Sequence, residues 1–183
     1  MKRAILVHGW GGNSESEAWF PWLKEQLSKN KIKVYTFDMP DTDNPKINSW
    51  VNFLQKNIKE IDEGTYFIGH SIGCQAIMRY LEKLADNKKI AGCIFVAGWF
   101  NLQGLSEEEK EIAKPWLETP VNFEKIKKHT NNFLVILSNN DPYVPLSDKN
   151  IFKNKLGAKV IIKNNEEHFN NTKEIKEILE FVR

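Results

Sequence analysis

Six short apolar runs, rich in β-branched residues, alternate along the chain with segments of helical periodicity, and this alternation constrains the fold most. The runs occupy residues 4–7, 33–37, 65–68, 92–96, 133–137 and 159–162. Continuous apolar runs of this length are typical of strands buried on both faces of a parallel sheet. Right-handed crossovers place helices on both faces, so the pattern predicts a compact three-layer α/β domain with about six mostly parallel strands.

Three segments carry apolar residues on one helix face. The first covers residues 47–61, and we expect Asn44 to cap it and Pro45 to lie in its first turn. The second covers residues 74–84, and the third covers residues 175–182 near the carboxyl end. Each stripe predicts a helix packed against the sheet.

Residues 98–120 form the least regular stretch, in which aromatic and leucine side chains are interleaved with a charged helical segment. The start of that segment, Ser106 to Glu109, matches a capping box. Ligands of parallel sheets bind at the carboxyl ends of the strands. This stretch follows the fourth strand, so it is positioned to cover a pocket.

Length and composition favour one folded domain, residues 1–183, since 41% of the residues are hydrophobic and 27% are charged. The 26 basic and 24 acidic side chains are mixed along the chain, which predicts no binding of nucleic acid or an anionic membrane surface. No segment approaches the roughly 20 apolar residues of a membrane span, and no signal peptide is indicated. Cys74 and Cys93 form neither a disulfide framework nor a zinc-ligand cluster, so we expect a cytoplasmic protein.

The segment 69–73, Gly-His-Ser-Ile-Gly, lies between a predicted strand and a predicted helix. Gly-x-Ser-x-Gly in that context is typical of a nucleophile elbow, whose turn holds the serine in a strained backbone conformation. The glycines remove side chains that would collide as strand and helix approach each other, and the helix dipole favours developing negative charge. Ser71 is therefore the candidate nucleophile, although an ordinary tight turn can carry the same pattern.

Two later residues supply the partners that a nucleophilic serine needs, a base and a group that orients the base. Asp141 follows the run 133–137 and His168 follows the run 159–162, in the order Ser, Asp, His. We therefore predict that His168 is the general base and that Asp141 orients it. Taken alone, Asp141 is typical of a turn before proline and His168 of a surface loop.

Other residues compete for these roles. Asp148 is an acidic competitor, but its position is typical of the start of the following helix. We interpret His129 as a solvated helix end and His70 as a side chain that packs under the elbow. His8 is the more serious rival base, because it ends the first strand beside a glycine-rich turn.

Proteins with a nucleophile elbow place one oxyanion donor in a loop that follows an early strand, and the glycine-rich turn, residues 9–12, lies in such a position. We assign the oxyanion hole to the backbone N–H groups of Trp10 and Ile72, with His8 shaping the turn. A phosphate cradle is less favoured, since the turn lacks the ending of a P-loop and the spacing of a dinucleotide fingerprint. The aspartates in residues 38–43 fit no calcium-loop spacing, so no metal and no cofactor are expected.

These features, in this order, resemble the small serine hydrolases related to bacterial YdeN and to retinoblastoma-binding protein 9. The matching segments are the glycine turn followed by Trp19 and Trp22, and residues 38–41, 69–71, 123–127, 141–142 with Pro145, and 168–172. The resemblance covers nearly the whole chain and implies a compact α/β-hydrolase fold that lacks the first strands of the larger enzymes. It implies the triad Ser71, Asp141 and His168. Neither cysteine lies in a Leu-x-Cys-x-Glu pattern, so no interaction of that kind is expected.

The sequence therefore predicts a serine hydrolase that cleaves a small acyl ester, or a related small-molecule acyl substrate, through a Ser-His-Asp triad and an acyl-enzyme intermediate. The aromatic side chains that we expect around the acyl pocket are Trp10, Trp99, Phe100, Trp116, Tyr143 and Phe169. Two other classes stay open: a hydrolase-fold protein that works mainly as an interaction module, and a nucleotide-binding α/β domain.

Overall fold

The computed structural model describes residues 1–15 and 17–182. In chain order, its elements are β1 (Arg3–Val7), α1 (Phe20–Lys29), β2 (Lys33–Thr36), α2 (Ile47–Asn57), β3 (Thr65–His70), α3 (Ile72–Leu81), β4 (Gly92–Val96), α4 (Glu107–Glu118), α5 (Phe123–Lys127), β5 (Phe133–Ser138), a 3-10 turn (Leu146–Asp148), α6 (Lys149–Leu156), β6 (Lys159–Lys163) and α7 (Lys176–Val182). Each strand lies on one of the six predicted apolar runs.

The six strands form one parallel sheet in the order β2-β1-β3-β4-β5-β6. From β1 the chain runs outward to β2, then returns past β1 to β3 and continues to β6. The direction in which successive strands are added to the sheet therefore reverses between β1 and β3. Crevices at the carboxyl ends of the strands beside such a reversal are the usual ligand sites of open α/β sheets.

Helices cover both faces of the sheet, as the sequence predicts. Leu23 of α1 and Ile178 of α7 belong to the core on one face. The opposite core takes residues from α2, α3, α5 and α6, and every residue of α3 is buried. The position of α3 against the middle of the sheet fixes the residue that precedes it, Ser71.

Helix α2 begins later than expected. Its N-cap is Lys46, which makes no side-chain capping hydrogen bond, so the predicted cap at Asn44 and first-turn position of Pro45 are wrong. The carbonyl of Pro45 instead accepts the indole N–H of Trp116 at 2.8 Å. A tertiary contact with α4 therefore overrides the local capping signal.

His129 is not solvated, which corrects the sequence interpretation. The residue is 1% exposed, and its Nδ1 lies 2.8 Å from the carbonyl oxygen of Lys88. Its own carbonyl accepts the N–H of Ile90 at 3.0 Å. The lysines before His129 indicate a segment exposed to solvent, but the chain turns toward the protein interior directly after α5.

Helix α4 begins with the predicted capping box. Glu109 N–H donates to Ser106 Oγ at 3.3 Å, and Ser106 N–H donates to Glu109 Oε2 at 2.7 Å. Near its other end, Arg79 of α3 donates to the carbonyl groups of Trp116 and Thr119 at 2.9 and 2.8 Å. Within the described ranges, no helix combines the length and the apolar character that crossing a bilayer requires.

Candidate active site

Ser71 occupies the sharp turn between β3 and α3, with φ 52° and ψ −121°. A positive φ is costly for a residue with a side chain and persists only where the surroundings enforce it. A Cβ at Gly69 would lie 2.8 Å from the backbone nitrogen of Cys74, and one at Gly73 would overlap the carbonyl oxygen of Val7. Both glycines are therefore needed for α3 to approach the sheet closely enough to form this turn.

The structure brings Ser71, His168 and Asp141 together. His168 Nε2 lies 2.8 Å from Ser71 Oγ, and His168 Nδ1 lies 2.8 Å from Asp141 Oδ2. The carboxylate accepts a hydrogen bond from the N–H at Nδ1, which leaves the Nε2 lone pair facing the hydroxyl. This is the geometry in which a neutral imidazole can remove a proton from serine.

Asp141 is held in place by the turn that follows it. Its Oδ1 accepts the backbone N–H groups of Tyr143 and Val144 at 2.9 and 3.0 Å. The turn contacts and the contact with His168 therefore use different oxygens of the same carboxylate.

His168 lies between two residues in the left-handed region, Glu167 with φ 48° and Phe169 with φ 61°. Glu167 N–H donates to Asn140 Oδ1 at 2.9 Å, which ties this loop to the one that carries Asp141. Tertiary hydrogen bonds thus hold a locally unfavourable backbone, as is common in functional loops.

Burial lowers the pKa of His168, because a buried imidazolium is poorly solvated. The hydrogen bond that His168 donates to Asp141 opposes this effect, and the charge of the nearby His70 adds to it. The net lowering leaves His168 neutral near pH 7, the form that a general base requires.

The rival base, His8, is fully buried and has both ring nitrogens in use. Its Nε2 accepts the N–H of Met39 at 2.9 Å, and its Nδ1 lies 2.8 Å from the carbonyl oxygen of Gly9. The expectation that His8 shapes the glycine turn is confirmed in this sense. His70 is 2% exposed and packs inside the molecule beside His168, as expected.

A cavity of about 440 Å³ opens beside Ser71 and His168. Trp10, Trp99 and Tyr143 line it, as predicted. Leu102, Leu105 and Glu109 also line it, so the stretch 98–120 covers a pocket as expected. The sequence analysis does not assign Asn13, Glu17 and Asn170 to the pocket, and they line it as well. The cavity is therefore mixed in character, with a polar side near the glycine turn.

Three aromatic residues expected around the pocket lie elsewhere. Phe100 packs against the rings of Phe123 and Phe152. Trp116 is buried with its indole N–H on a backbone carbonyl, and Phe169 is fully buried in the core beside α1 and α7. Aromatic composition cannot distinguish pocket walls from core packing.

The glycine turn lies against the elbow, since a Cβ at Gly9 would come within 3.5 Å of Ser71 Cβ. Trp10 holds the turn through its indole N–H, which donates to the carbonyl of Asp43 at 3.0 Å. In the described part of the chain no backbone carbonyl accepts the N–H of Trp10, and that of Ile72 is in the first turn of α3, where helix N–H groups have no intrahelical partner.

Asp148 has a role that the sequence does not reveal. It is fully buried and makes no capping hydrogen bond to α6. Its carboxylate accepts the backbone N–H groups of Phe100 and Asn101 at 2.6 and 2.8 Å and the side-chain amide of Asn101 at 2.6 Å. It therefore fixes the loop that carries Trp99. The local sequence does not distinguish an aspartate with this tertiary role from one that caps a helix.

The profile of a known family, described as serine hydrolase, matches residues 4–178. The chain belongs to the serine hydrolase family. The hydrolase is 30% identical over 146 residues to the hydrolase YdeN of Bacillus subtilis strain 168, a match that covers 80% of this chain and 74% of the relative. It is 28% identical over 183 residues to the serine hydrolase RBBP9 of Rattus norvegicus, covering 99% of this chain and 94% of the relative.

Solved structures agree with this membership. The crystal structure of the ydeN gene product of B. subtilis matches with a TM-score of 0.88 at 26% identity and covers 100% of the hydrolase and 98% of that chain. Est1E from Butyrivibrio proteoclasticus shares the fold, with a TM-score of 0.70 at 18% identity over 98% of the hydrolase and 84% of that chain. The six-stranded parallel sheet with helices on both faces is thus the α/β-hydrolase fold that the sequence predicts.

Proposed function

We propose that this serine hydrolase cleaves small acyl esters with Ser71 as nucleophile, His168 as general base and Asp141 as the orienting carboxylate. The observation that carries the proposal is the pair of 2.8 Å contacts on the two nitrogens of His168. A serine hydroxyl is a weak nucleophile at neutral pH, and a hydrogen bond to a neutral imidazole activates it. A strained serine in contact with a buried histidine favours an enzyme over an interaction module.

The reaction follows from these contacts. His168 Nε2 takes the hydroxyl proton as Ser71 Oγ attacks the acyl carbonyl, and Asp141 stabilises the resulting imidazolium. The N–H groups of Trp10 and Ile72 donate to the oxyanion. The imidazolium then protonates the departing alcohol, which leaves an acyl-enzyme on Ser71, and water removes the acyl group by the same steps.

The size and walls of the cavity support a short acyl group. Its volume of about 440 Å³ is near the lower end of small-molecule sites, which span about 300–1,000 Å³. Trp10, Trp99 and Tyr143 provide apolar surface next to Ser71 and His168. We therefore assign short acyl esters as the substrate class.

A panel of p-nitrophenyl esters of increasing chain length tests both parts of the proposal. Wild-type hydrolase is expected to turn over the short esters fastest, and Ser71→Ala and His168→Ala to lose activity while they stay folded by circular dichroism. Activity in Ser71→Ala equal to that of the wild type would overturn the assignment of the nucleophile. Activity confined to long-chain lipids would overturn the substrate class.

A further inference from the structure

A second pair of ionisable side chains, Glu17 and His70, lies buried beside the proposed triad. The Glu17 side chain is 8% exposed and the His70 side chain is 2% exposed. Glu17 belongs to the loop after β1, and His70 is the last residue of β3. His70 Nδ1 hydrogen-bonds Glu17 Oε1, and His70 Nε2 lies 2.8 Å from the backbone carbonyl oxygen of His168.

The partners of His70 restrict where its protons lie. A carbonyl oxygen can only accept, so Nε2 must carry a hydrogen to bond the backbone of His168. The second hydrogen lies between Nδ1 and Glu17 Oε1, either on Nδ1, as an imidazolium paired with a carboxylate, or on the oxygen of a neutral pair. We assign it to Nδ1, because Oε1 also accepts the N–H of Gly9 at 3.2 Å and an ionised carboxylate is the better acceptor for both N–H groups.

The electrostatics of the pair agree with this assignment. Burial opposes a charge on either group, but the hydrogen bond between them and their opposite charges outweigh it. The pKa of His70 is raised and that of Glu17 is lowered. Both shifts favour the ionised pair near neutral pH.

The pair connects two parts of the site, the glycine turn and the loop of His168, and holds them in fixed positions relative to each other. Through Gly9 it holds the glycine turn that carries Trp10, and through the carbonyl oxygen of His168 it holds the loop of the proposed base. The turn is built around the carboxylate, because a Cβ at Gly9 would lie 3.1 Å from Glu17 Oε1 and one at Gly12 would overlap Oε2. The glycines of the turn thus make room for Glu17.

We propose that Glu17 and His70 form an ionised pair that positions His168 and the glycine turn and sets a positive charge beside the imidazole that acts as base. This inference rests on the role of His168 under the proposed function. The rings of His70 and His168 lie with their centroids 5.2 Å apart. The cation on His70 therefore disfavours a proton on His168, and this effect outweighs the opposite effect of the more distant charge on Glu17.

The other groups around His168 and the pair enter the same balance. Asp141 and Tyr143, on the loop after β5, contact His168. His8, after β1, acts on the charge of Glu17. Glu109 of α4 lines the same cavity. Glu166, on the loop of His168, accepts the hydroxyl of Thr172 at 2.6 Å. Apart from His70, this set holds carboxyl groups, the phenol of Tyr143, and His8. The Nε2 of His8 accepts the N–H of Met39, and its Nδ1 bonds the carbonyl oxygen of Gly9.

Nitrogen NMR of the histidine rings tests the protonation state without reference to turnover. The experiment uses the Ser71→Ala protein at pH 7, with His70→Asn to assign the His70 signals. We expect both ring nitrogens of His70 to show the protonated signature while His168 is neutral. A single neutral tautomer of His70 at pH 7 would overturn the ionised pair, whatever residue proves to be the nucleophile.

Kinetics test the effect on the base. His70→Asn removes the cation and leaves the Glu17 carboxylate, so the lower apparent pKa of kcat/KM should move upward toward neutrality. We expect kcat to fall by up to about 100-fold, because displacement of a reacting group by about 1 Å can cost that much, with a smaller change in KM. A loss of packing alone would lower activity equally at every pH.

Two variants serve as controls. His129→Asn removes another buried histidine whose Nδ1 bonds a carbonyl, far along the chain from the site, and should leave the pH profile unchanged. The double variant Glu17→Gln with His70→Asn should lose no more kcat than His70→Asn alone, because the two side chains act as one unit. An unchanged apparent pKa in His70→Asn, or fully additive losses, would contradict the proposed positioning role. Wild-type activity in His168→Ala would instead overturn the proposed function and leave the NMR result standing.

Discussion

Ser71 Oγ and His168 Nε2 lie 2.8 Å apart although 97 positions separate the two residues in the chain. Ser71 follows β3, near the middle of the sheet, and His168 follows β6, at its edge. The loop after β6 therefore has to reach back over β5 and β4. Hydrogen bonds to the loop after β5 and to His70 hold it there.

Replacement of Asp141 by asparagine should lower kcat/KM by about 10⁴-fold with the fold intact. The Asn carbonyl oxygen can still accept the N–H groups of Tyr143 and Val144, but the amide then presents N–H to His168 Nδ1 and selects the wrong tautomer. Steady-state kinetics and a thermal melt on the same sample check this. A loss of less than tenfold in a folded protein would contradict the orienting role.

The pH dependence of kcat/KM should show a lower limb at an apparent pKa below the ordinary histidine value of about 6.5. The pKa of His168 is lowered by burial, against the opposing effect of Asp141. Activity requires neutral His168, so it is complete above this pKa and is lost as the pH falls through it. A pH series with a short ester measures the limb, and an apparent pKa above 7 would contradict the described environment.

Gly73→Ala should destabilise the protein strongly, because the new Cβ would overlap the backbone carbonyl of Val7, which cannot move without breaking the sheet. We expect a loss larger than the about 1–3 kcal/mol that overpacking of a core usually costs, because the overlapping atoms belong to the backbone. Gly157→Ala is the matched control. Gly157 also has a positive φ, 67°, but a Cβ there meets nothing within 4 Å, so only backbone strain of about 1–2 kcal/mol is expected. Urea unfolding compares the two, and equal losses would contradict the close approach of α3.

Asp148→Asn should loosen the loop that carries Trp99. The amide oxygen can accept the two backbone N–H groups, but the amide nitrogen then faces the side-chain amide nitrogen of Asn101, and the negative charge that holds all three donors is lost. We expect a stability loss of about 1–3 kcal/mol for the buried unsatisfied groups and a rise in KM. Asp86→Asn, which removes an exposed partner of Lys128, should change neither quantity. An unchanged KM in Asp148→Asn would contradict a role of this loop in the cavity wall.

The strands and the proposed triad are predictable because their signals are local. An apolar run between turn residues indicates a buried parallel strand, and Ser71, Asp141 and His168 each come within six positions of the end of such a run. The carboxyl ends of parallel strands lie at the same edge of the sheet, so these positions come together even where the helix boundaries are predicted wrongly.

The remaining features depend on contacts between distant segments, which a local pattern does not contain. His129 hydrogen-bonds the backbone of Lys88, and Asp148 accepts hydrogen bonds from a loop 47 residues earlier rather than from its own helix. Glu17 pairs with His70 across 53 positions. A single acidic residue in a loop carries no sign of such a partner, so only the folded arrangement reveals it.

Covalent labelling followed by peptide mapping tests the central claim most directly. The hydrolase is treated with a fluorophosphonate, digested, and analysed by mass spectrometry for the site of the adduct. The account predicts one adduct on Ser71, formed slowly or not at all in His168→Ala and absent in Ser71→Ala. Labelling of another residue, or equal labelling of wild type and Ser71→Ala, would contradict it.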